Sequence, residues 1–195
     1  MSKDKVYIFD TTLRDGAQTE GVDFTVNDKV KIAKSLNELG VDYIEGGWPG
    51  ANPPDTDYFN TQQKLDRSIF TAFGMTKKLG RSADNEPSLA PILNANTKAV
   101  CIVGKTWDFH VDVALGITNK ENLENIKETA KYFIKNKGEF IFDAEHFFDG
   151  YKNNPSYALD CLKQAYEEGA RWLVLCDTNG GTLPNEVGEI ISKVS

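Results

Sequence analysis

Polar residues follow the apolar runs of this chain at nearly every point where such a run ends. Arg14-Asp15 comes directly after the first run. An arginine keeps its charge and carries a rigid fork of donors, so it can hold an oxygen atom that gathers negative charge. The same kind of ending recurs at Glu45-Gly46-Gly47, Thr76-Lys77, Lys105-Thr106, Glu145-His146 and Asp177-Thr178-Asn179. The pattern predicts a site at the carboxyl ends of a set of strands.

The elements that must position these residues are short β-rich runs with helical stretches between them. Strands are predicted at residues 6–13, 43–48, 69–75, 99–107, 140–146 and 172–177. Helices are predicted at 27–39 and 122–138, from Asn154-Pro155 to Gly169, and from Leu183-Pro184 to the end. Because the strands are nearly continuous apolar runs, both faces should be covered, and the sheet should be parallel with helical crossovers.

Three of the predicted helices carry apolar residues at helical spacing, which should face inward. In the first helix these are Val30, Ala33, Leu36 and Leu39, and Gly40 supplies its stop. The second follows a capping box, Thr118-x-x-Glu121, and buries Leu123, Ile126, Ala130 and Phe133; the third buries Ala158, Cys161, Leu162 and Ala165. Strand alternation would aim Glu145 and His146 in opposite directions.

Composition excludes several classes of partner. The 195 residues include 22 basic and 29 acidic side chains, a net charge of −7, which argues against binding to nucleic acid or to an anionic membrane. No apolar run approaches the roughly 20 residues that span a bilayer, and the first five residues do not resemble a signal peptide, so a cytoplasmic location is expected. Cys101, Cys161 and Cys176 lie inside apolar segments and are expected to be buried rather than zinc ligands.

Six βα units fit either an open doubly wound sheet or part of a (β/α)8 TIM barrel. A barrel gathers all strand ends around one mouth, where barrel enzymes keep their chemistry, whereas an open sheet spreads them along a line. The polar endings therefore favour the barrel. A complete barrel usually needs about 250 residues, so we expect residues 1–195 to be the N-terminal part of a catalytic TIM-barrel domain with about six units present.

Four stretches carry a resemblance to a known family. Asp10-Thr11-Thr12-Leu13-Arg14-Asp15-Gly16 resembles the opening strand of the DRE-TIM metallolyase superfamily, which includes isopropylmalate, homocitrate and citramalate synthases, with hydroxymethylglutaryl-CoA lyase and pyruvate carboxyltransferases as relatives. Residues 43–49, 142–150 and 176–184 follow in the family's order. Four sequence segments are most similar to the citramalate synthase branch: EGGWPGANPPD, GKTWDFHV, DAEHFFDGY and CDTNGGTLP.

The resemblance implies an acyltransferase. Its members condense acetyl-CoA with an α-keto acid in a metal-assisted Claisen-type reaction followed by thioester hydrolysis; in this branch pyruvate becomes citramalate on a route to isoleucine. By resemblance, Asp15 is a ligand of a divalent metal, Arg14 holds the keto oxygen, Thr178 binds the carboxylate of the keto acid, and Glu145 orders water or the developing hydroxyl. Gln18 and Glu45 are weaker candidates for substrate contacts. Mg²⁺ or Mn²⁺ suits such oxygen ligands, and imidazole ligands would also admit Zn²⁺.

The chain departs from the family pattern at its end. The family completes its metal shell with a His-x-His pair at a seventh strand and often carries a C-terminal regulatory domain, and both lie beyond residue 195 in such an alignment. We therefore expect this chain alone to bind metal and keto acid weakly and to be inactive, and the full-length enzyme to be a homodimer.

Other interpretations remain open at this stage. The same chemistry on a different keto acid would make the protein a 2-isopropylmalate or homocitrate synthase. A related acyl-CoA lyase or carboxyltransferase would cleave or transfer instead of condensing, and a non-catalytic binding module would do neither. Lys77, Lys78 and Arg81 could contact the phosphates of CoA or form a solvated charge run.

Overall fold

The computed structural model describes residues 5–61 and 64–195, and it alternates strands with helices. The strands are β1 (Phe9–Asp10), β2 (Tyr43–Glu45), β3 (Ile69–Met75), β4 (Ala99–Lys105), β5 (Glu139–Glu145) and β6 (Trp172–Leu175). The helices are α1 (Val26–Leu39), α2 (Pro53–Asn60), α3 (Leu89–Asn94), α4 (Asp108–His110), α5 (Asn119–Lys137), α6 (Phe147–Asn153), α7 (Pro155–Glu168) and α8 (Pro184–Val194). None of the helices in these two ranges is both long enough and apolar enough to cross a membrane. Residues 1–4, on which part of the reading of the N-terminus depends, lie outside the described residues.

The six strands form one sheet in the order β1-β2-β3-β4-β5-β6. β1 pairs in parallel with β2, β2 with β3, and β5 with β6. Neighbours in the sheet are therefore consecutive in the chain, and the carboxyl ends of paired strands lie at the same edge. This is the α/β arrangement of six successive βα units that the sequence predicts.

The chain divides into two compact units. The N-terminal unit contains the residues up to Gly74 together with Pro87–Cys101, and its buried core includes Ala33, Ile44, Tyr58, Leu89 and Ile92. The C-terminal unit contains Met75–Glu86 and Ile102–Ser195, and its buried core includes Ile126, Phe133, Phe140, Phe142 and Phe147. Each unit thus has an apolar core of its own.

The first strand is much shorter than predicted. The strand predicted at residues 6–13 is confirmed only at Phe9–Asp10, and it ends there because the chain turns. The Asp10 carboxylate accepts the backbone N–H of Thr12 at 3.0 Å, and the N–H groups of Arg14, Asp15 and Gly16 all donate to the carbonyl oxygen of Thr11. These bonds form a tight turn instead of continuing the hydrogen bonding between β1 and β2, and Arg14 lies in that turn.

The helix ends follow the predicted signals. Thr118 and Glu121 form the capping box that opens α5, and Gly40 and Gly169 end α1 and α7 in left-handed conformations. The predicted inward face of α7 is buried in full. In α1, however, Val30 and Leu39 are exposed, and the buried positions are Lys29, Ala33 and Asn37.

The sequence prediction missed the short helices, of which α2 bears on the site. Asn52 accepts the N–H of Asp55 at 2.8 Å, and prolines occupy the first helical positions, where the missing N–H costs nothing. The order Asn52-Pro53-Pro54-Asp55 was a readable start signal for this helix.

Gly150 in α6 packs directly against the backbone of the loop after β4 in the C-terminal unit. A Cβ at this position would meet the carbonyl oxygen of Thr106 and lie 2.9 Å from Cα of Trp107. We expect Gly150→Ala to lower the free energy of unfolding by about 2–3 kcal/mol, since backbone atoms cannot move away cheaply. Gly188 in α8 has nothing within 4 Å, so Gly188→Ala should be neutral or stabilising by about 0.5–1 kcal/mol. Urea denaturation compares the two variants, and equal effects would contradict the packing explanation.

Candidate functional site

Arg14 lies in the turn after β1, and its guanidinium is held from several sides. Nε donates to Oε2 of Glu45 at 2.6 Å, and Nη1 donates to Oδ1 of Asp15 at 3.0 Å. Cζ lies 4.1 Å from the ring centroid of Phe73. The Glu45 side chain is 0% exposed and that of Arg14 16% exposed. The position of this cation is therefore set by a buried carboxylate at the end of β2 and an aromatic ring of β3.

A buried ammonium group ties together the segments that carry this pair. Lys29 of α1 is 2% exposed. Its Nζ donates to the carbonyl oxygen of Leu13 at 2.8 Å, to that of Gly46 at 3.1 Å, and to the carboxylate of Asp55. All three donors of the ammonium are thereby used. Leu13 precedes Arg14 and Gly46 follows Glu45, so one side chain fixes the backbone on both sides of the ion pair.

Asp55 extends this network to the glycine-rich segment after β2. Its Oδ2 accepts the backbone N–H of Trp48 at 2.9 Å. Gly47 has a φ of 141°, and a Cβ there would lie 2.7 Å from the Asp55 carboxylate. A side chain at position 47 would therefore displace the acid that neutralises Lys29.

Two further predicted site residues of this unit are exposed. The Asp15 side chain is 65% exposed and shares Arg14 with Glu45. Gln18 lies in the single helical turn Gly16–Gln18 and is exposed, with no side-chain hydrogen bond to the described part of the chain. Within residues 5–61 and 64–195, no group of three or more His, Cys, Asp or Glu side chains is arranged to hold a metal ion. Asp15 can offer one carboxylate ligand, and the described residues do not complete a metal shell.

Glu145 ends β5 in the C-terminal unit and is paired with Lys105 at the end of β4. Nζ of Lys105 lies 2.5 Å from Oε2 of Glu145. The carbonyl oxygen of Glu145 also accepts the backbone N–H and the hydroxyl of Thr106, at 3.2 and 2.7 Å. This lysine balances the charge of Glu145. The sequence predicts only that Lys105 lies at the end of a strand, and not this pairing.

His146 leaves the strand in a left-handed conformation, with φ 55° and ψ 33°. The expectation that strand alternation orients its side chain was wrong, because β5 ends at Glu145. The imidazole is buried, with Nδ1 3.3 Å from Oδ2 of Asp149 and the ring 4.2 Å from that of His110 in an edge-on arrangement. Trp107 packs on both imidazoles, at 4.8 Å from His110 and 5.8 Å from His146.

The loop after β6 carries Thr178, and hydrogen bonds between the adjacent Asp177 and Thr182 close this loop. Asp177 accepts the N–H and the hydroxyl of Thr182, at 3.0 and 2.9 Å, and these bonds lower the pKa of Asp177. The hydroxyl oxygen of Thr178 accepts the backbone N–H of His146 at 2.8 Å. Asn179 donates to Asp149 at 3.0 Å, so the loop is bound to the segment after β5 at two points.

The basic run after β3 is only partly solvated. Lys77 is buried, and its Nζ lies 2.8 Å from both the Glu128 carboxylate and the carbonyl oxygen of Arg81. Lys77 is therefore engaged inside the C-terminal unit and is not available to bind phosphate. Lys78 and Arg81 are exposed.

Each unit therefore brings part of the predicted site together. Arg14, Asp15 and Glu45 are in contact in one unit, and Thr178 contacts the backbone directly after Glu145 in the other. That both sets act on a single ligand stays a prediction. Lys29 was not predicted to be a site residue, because a lysine on an amphipathic helix is ordinarily solvated. Its signal in the sequence was its position four residues before Ala33 and eight before Asn37, on the buried face.

Six parallel βα units with polar side chains at their carboxyl ends define an α/β protein of the TIM-barrel class, incomplete in this chain. Residues 5–195 match the model of the HMGL-like family, so the chain belongs to that family. In fold it is similar to the crystal structure of HMG-CoA lyase from Bacillus subtilis, with a TM-score of 0.80 at 19% identity over 98% of this chain and 64% of that one.

Among characterised relatives, the chain is similar to (R)-citramalate synthase of Aquifex aeolicus, with 52% identity over 98% of this chain and 37% of that protein. It is also similar to the (R)-citramalate synthase of Geobacter sulfurreducens, with 49% identity over 97% of this chain and 36% of that protein. Similarity to 2-isopropylmalate synthase of Acetivibrio thermocellus is lower, with 32% identity over 97% of this chain and 36% of that protein. The chain thus spans a little over a third of the length of these relatives.

The buried Lys29–Asp55 pair yields a stability prediction. Lys29→Met leaves a buried carboxylate without its counter-charge and two carbonyl groups without a donor, so the free energy of unfolding should fall by about 3–5 kcal/mol. Lys34→Met, which removes an exposed lysine paired with Glu38 at 3.8 Å, should cost under about 1 kcal/mol. Chemical denaturation of the native protein that contains this chain measures both, and a loss below 1 kcal/mol for Lys29→Met would show that the pair is dispensable.

His110 yields a prediction on pH. Burial lowers the pKa of His110 from its usual value of 6.5, and the neighbouring His146 and Lys105 lower it further. Just below pH 6.5 the folded state therefore binds fewer protons than the unfolded state. The contribution of neutral His110 to the free energy of unfolding is complete above that pH and is lost as the pH falls. We expect His110→Gln to flatten the fall in the unfolding midpoint as the pH drops below about 6.5. An unchanged slope would mean that His110 titrates normally.

Proposed function

We propose that this chain is the keto-acid-binding part of an acyltransferase that condenses acetyl-CoA with pyruvate to give citramalate and CoA. The observation that carries the proposal is the geometry of Arg14, which buried Glu45 holds at 2.6 Å in the turn after β1. The 49–52% identity to two (R)-citramalate synthases supports pyruvate over larger keto acids. The acetyl methyl group gives up a proton to a general base and its carbon attacks the keto carbon. The resulting alkoxide takes up a proton, and water then hydrolyses the citramalyl thioester to citramalate and CoA.

In this proposal Arg14 binds the keto oxygen. The carbon–carbon bond forms as the keto carbonyl accepts an electron pair, and its oxygen becomes an alkoxide. A guanidinium already fixed by Glu45 and Phe73 needs no reorganisation when that charge appears, which is the arrangement that stabilises a transition state most effectively. Gln18, exposed in the turn beside Asp15, is a further donor to the same substrate.

Thr178 and Glu145 would act on the rest of the keto acid. The Thr178 hydroxyl, which accepts an N–H from His146, donates its own proton to the substrate carboxylate. Glu145, with its charge balanced by Lys105 at 2.5 Å, orders a water molecule or takes the hydrogen bond of the new hydroxyl.

Asp15 would contribute one ligand to a divalent metal, Mg²⁺ or Mn²⁺, or Zn²⁺ if imidazoles complete the shell. Such a metal polarises the keto carbonyl when bound. The described residues do not complete its shell. The residues of the chain itself bind and orient the keto acid.

Further features of the native protein follow as expectations. A place in isoleucine biosynthesis, a cytoplasmic location and a homodimer all stay predictions. The 32% identity to 2-isopropylmalate synthase keeps a different keto acid as the second candidate. A lyase or carboxyltransferase activity has only fold similarity behind it.

The test uses the native protein and a thiol reagent that detects CoA release. We expect turnover with acetyl-CoA and pyruvate, and much less with 2-oxoisovalerate or 2-oxoglutarate. Arg14→Lys keeps the charge but loses the fork, so kcat should fall about 10²–10³-fold. Arg171→Lys, at an exposed arginine paired with Glu139, is the matched control and should leave kcat unchanged. Full activity of Arg14→Lys, or failure to form citramalate from pyruvate, would contradict the proposal.

A further inference from the structure

His146 has an unusual backbone conformation. Among residues 5–61 and 64–195 it is the only non-glycine residue with a positive φ. Such a conformation costs a residue with a Cβ about 1–3 kcal/mol and persists only where its surroundings impose it. The strain therefore needs an explanation in what the conformation achieves.

The left-handed turn at His146 directs its N–H away from the strand. This N–H donates to the hydroxyl oxygen of Thr178 at 2.8 Å. In the same turn the carbonyl oxygen of His146 accepts the N–H of Gly150 at 2.9 Å and opens the next helix. A residue in strand conformation would have its N–H in the plane of the sheet, where the ladder uses it. The strained geometry thus links the ends of β5 and β6 by one hydrogen bond.

This bond leaves Thr178 as a donor. A hydroxyl has one proton and two lone pairs, and one lone pair is taken by the His146 N–H. Thr178 is exposed, and no acceptor for its proton lies in the part of the chain that the structure describes. A proton so placed suits an anionic oxygen from a ligand, since hydrogen bonds to charged groups are the stronger ones.

The side chain of His146 packs against neighbouring segments of the C-terminal unit. It is 7% exposed and packs against His110 and Trp107, with Asp149 at 3.3 Å. Asp149 in turn accepts a bond from Asn179, the neighbour of Thr178. Asp149 therefore contacts both the His146 side chain and the loop that carries Thr178.

We propose that His146 is a positioning residue whose left-handed backbone N–H orients the Thr178 hydroxyl so that its proton points to the carboxylate of the keto acid. The proposal rests on the role given to Thr178 under the proposed function. It assigns the effect to the backbone of His146, whereas the imidazole makes no contact with substrate.

The test compares substitutions that differ in their access to the left-handed region. Glycine and asparagine adopt it readily, alanine does so poorly, and valine hardly at all. In the native protein, His146→Gly and His146→Asn should keep the KM for pyruvate within about threefold. His146→Val and His146→Ala should raise it about tenfold or more, the loss expected for a hydrogen bond to a charged group. The KM for acetyl-CoA should not change in any variant.

A second set of variants, made in the Thr178→Val protein, separates the positioning role of His146 from the substrate-binding role of Thr178. In that background His146→Val should raise the KM for pyruvate no further, because the hydroxyl it orients is gone. Equal damage from the glycine and alanine variants would overturn the inference, and so would a valine effect that persists without the hydroxyl. If Thr178→Val itself leaves the KM unchanged, the role of Thr178 in the proposed function fails instead. Should His146→Val not fold, the glycine–alanine pair decides alone.

Discussion

The contact of the Lys29 ammonium with two backbone carbonyl groups is the interaction on which the N-terminal unit depends. Those carbonyls belong to Leu13 and Gly46, the neighbours of Arg14 and Glu45, and Asp55 balances the charge. Two ion pairs are therefore coupled through the backbone. One is the buried Lys29–Asp55 pair, and the other joins buried Glu45 to Arg14, for which binding of the keto acid is proposed. Removing the buried charge would disturb the second pair without touching either of its members.

The C-terminal unit fixes its polar groups by other means. Hydrogen bonds converge on the end of β5, where the Glu145 carbonyl accepts two bonds from Thr106 and the His146 N–H reaches Thr178. Here a strained backbone, not a buried charge, sets the direction of the donor. In both units the donors are oriented before any ligand arrives, so binding need not supply the free energy for that ordering.

The sequence predicted what depends on periodicity and local signals. Alternating elements, the capping box at Thr118 and the glycine stop after α7 are local patterns, and the strand-end positions of Arg14 and Glu145 follow from them. The partners of these residues did not follow. Lys29 resembles a surface lysine in the sequence, and Val30 and Leu39 resemble core residues, because a helical repeat does not report which contacts a buried ammonium finds fifteen or more residues away. The left-handed His146 carries no signal either, since nothing in Glu145-His146-Phe147 demands it.

Lys29 and His146, whose environments the sequence pattern fails to predict, are the residues that orient neighbouring hydrogen-bond donors. Lys29 and His146 both break a local rule, one by burying a charge and the other by bending a non-glycine backbone, and each lies beside a residue with a proposed role. A chain that only had to fold could place an apolar side chain at position 29 and a glycine at position 146. Both departures cost stability in isolation, and both yield a fixed donor at the carboxyl end of a strand. That coincidence is expected where function requires polar groups to be held in place against the preference of the chain.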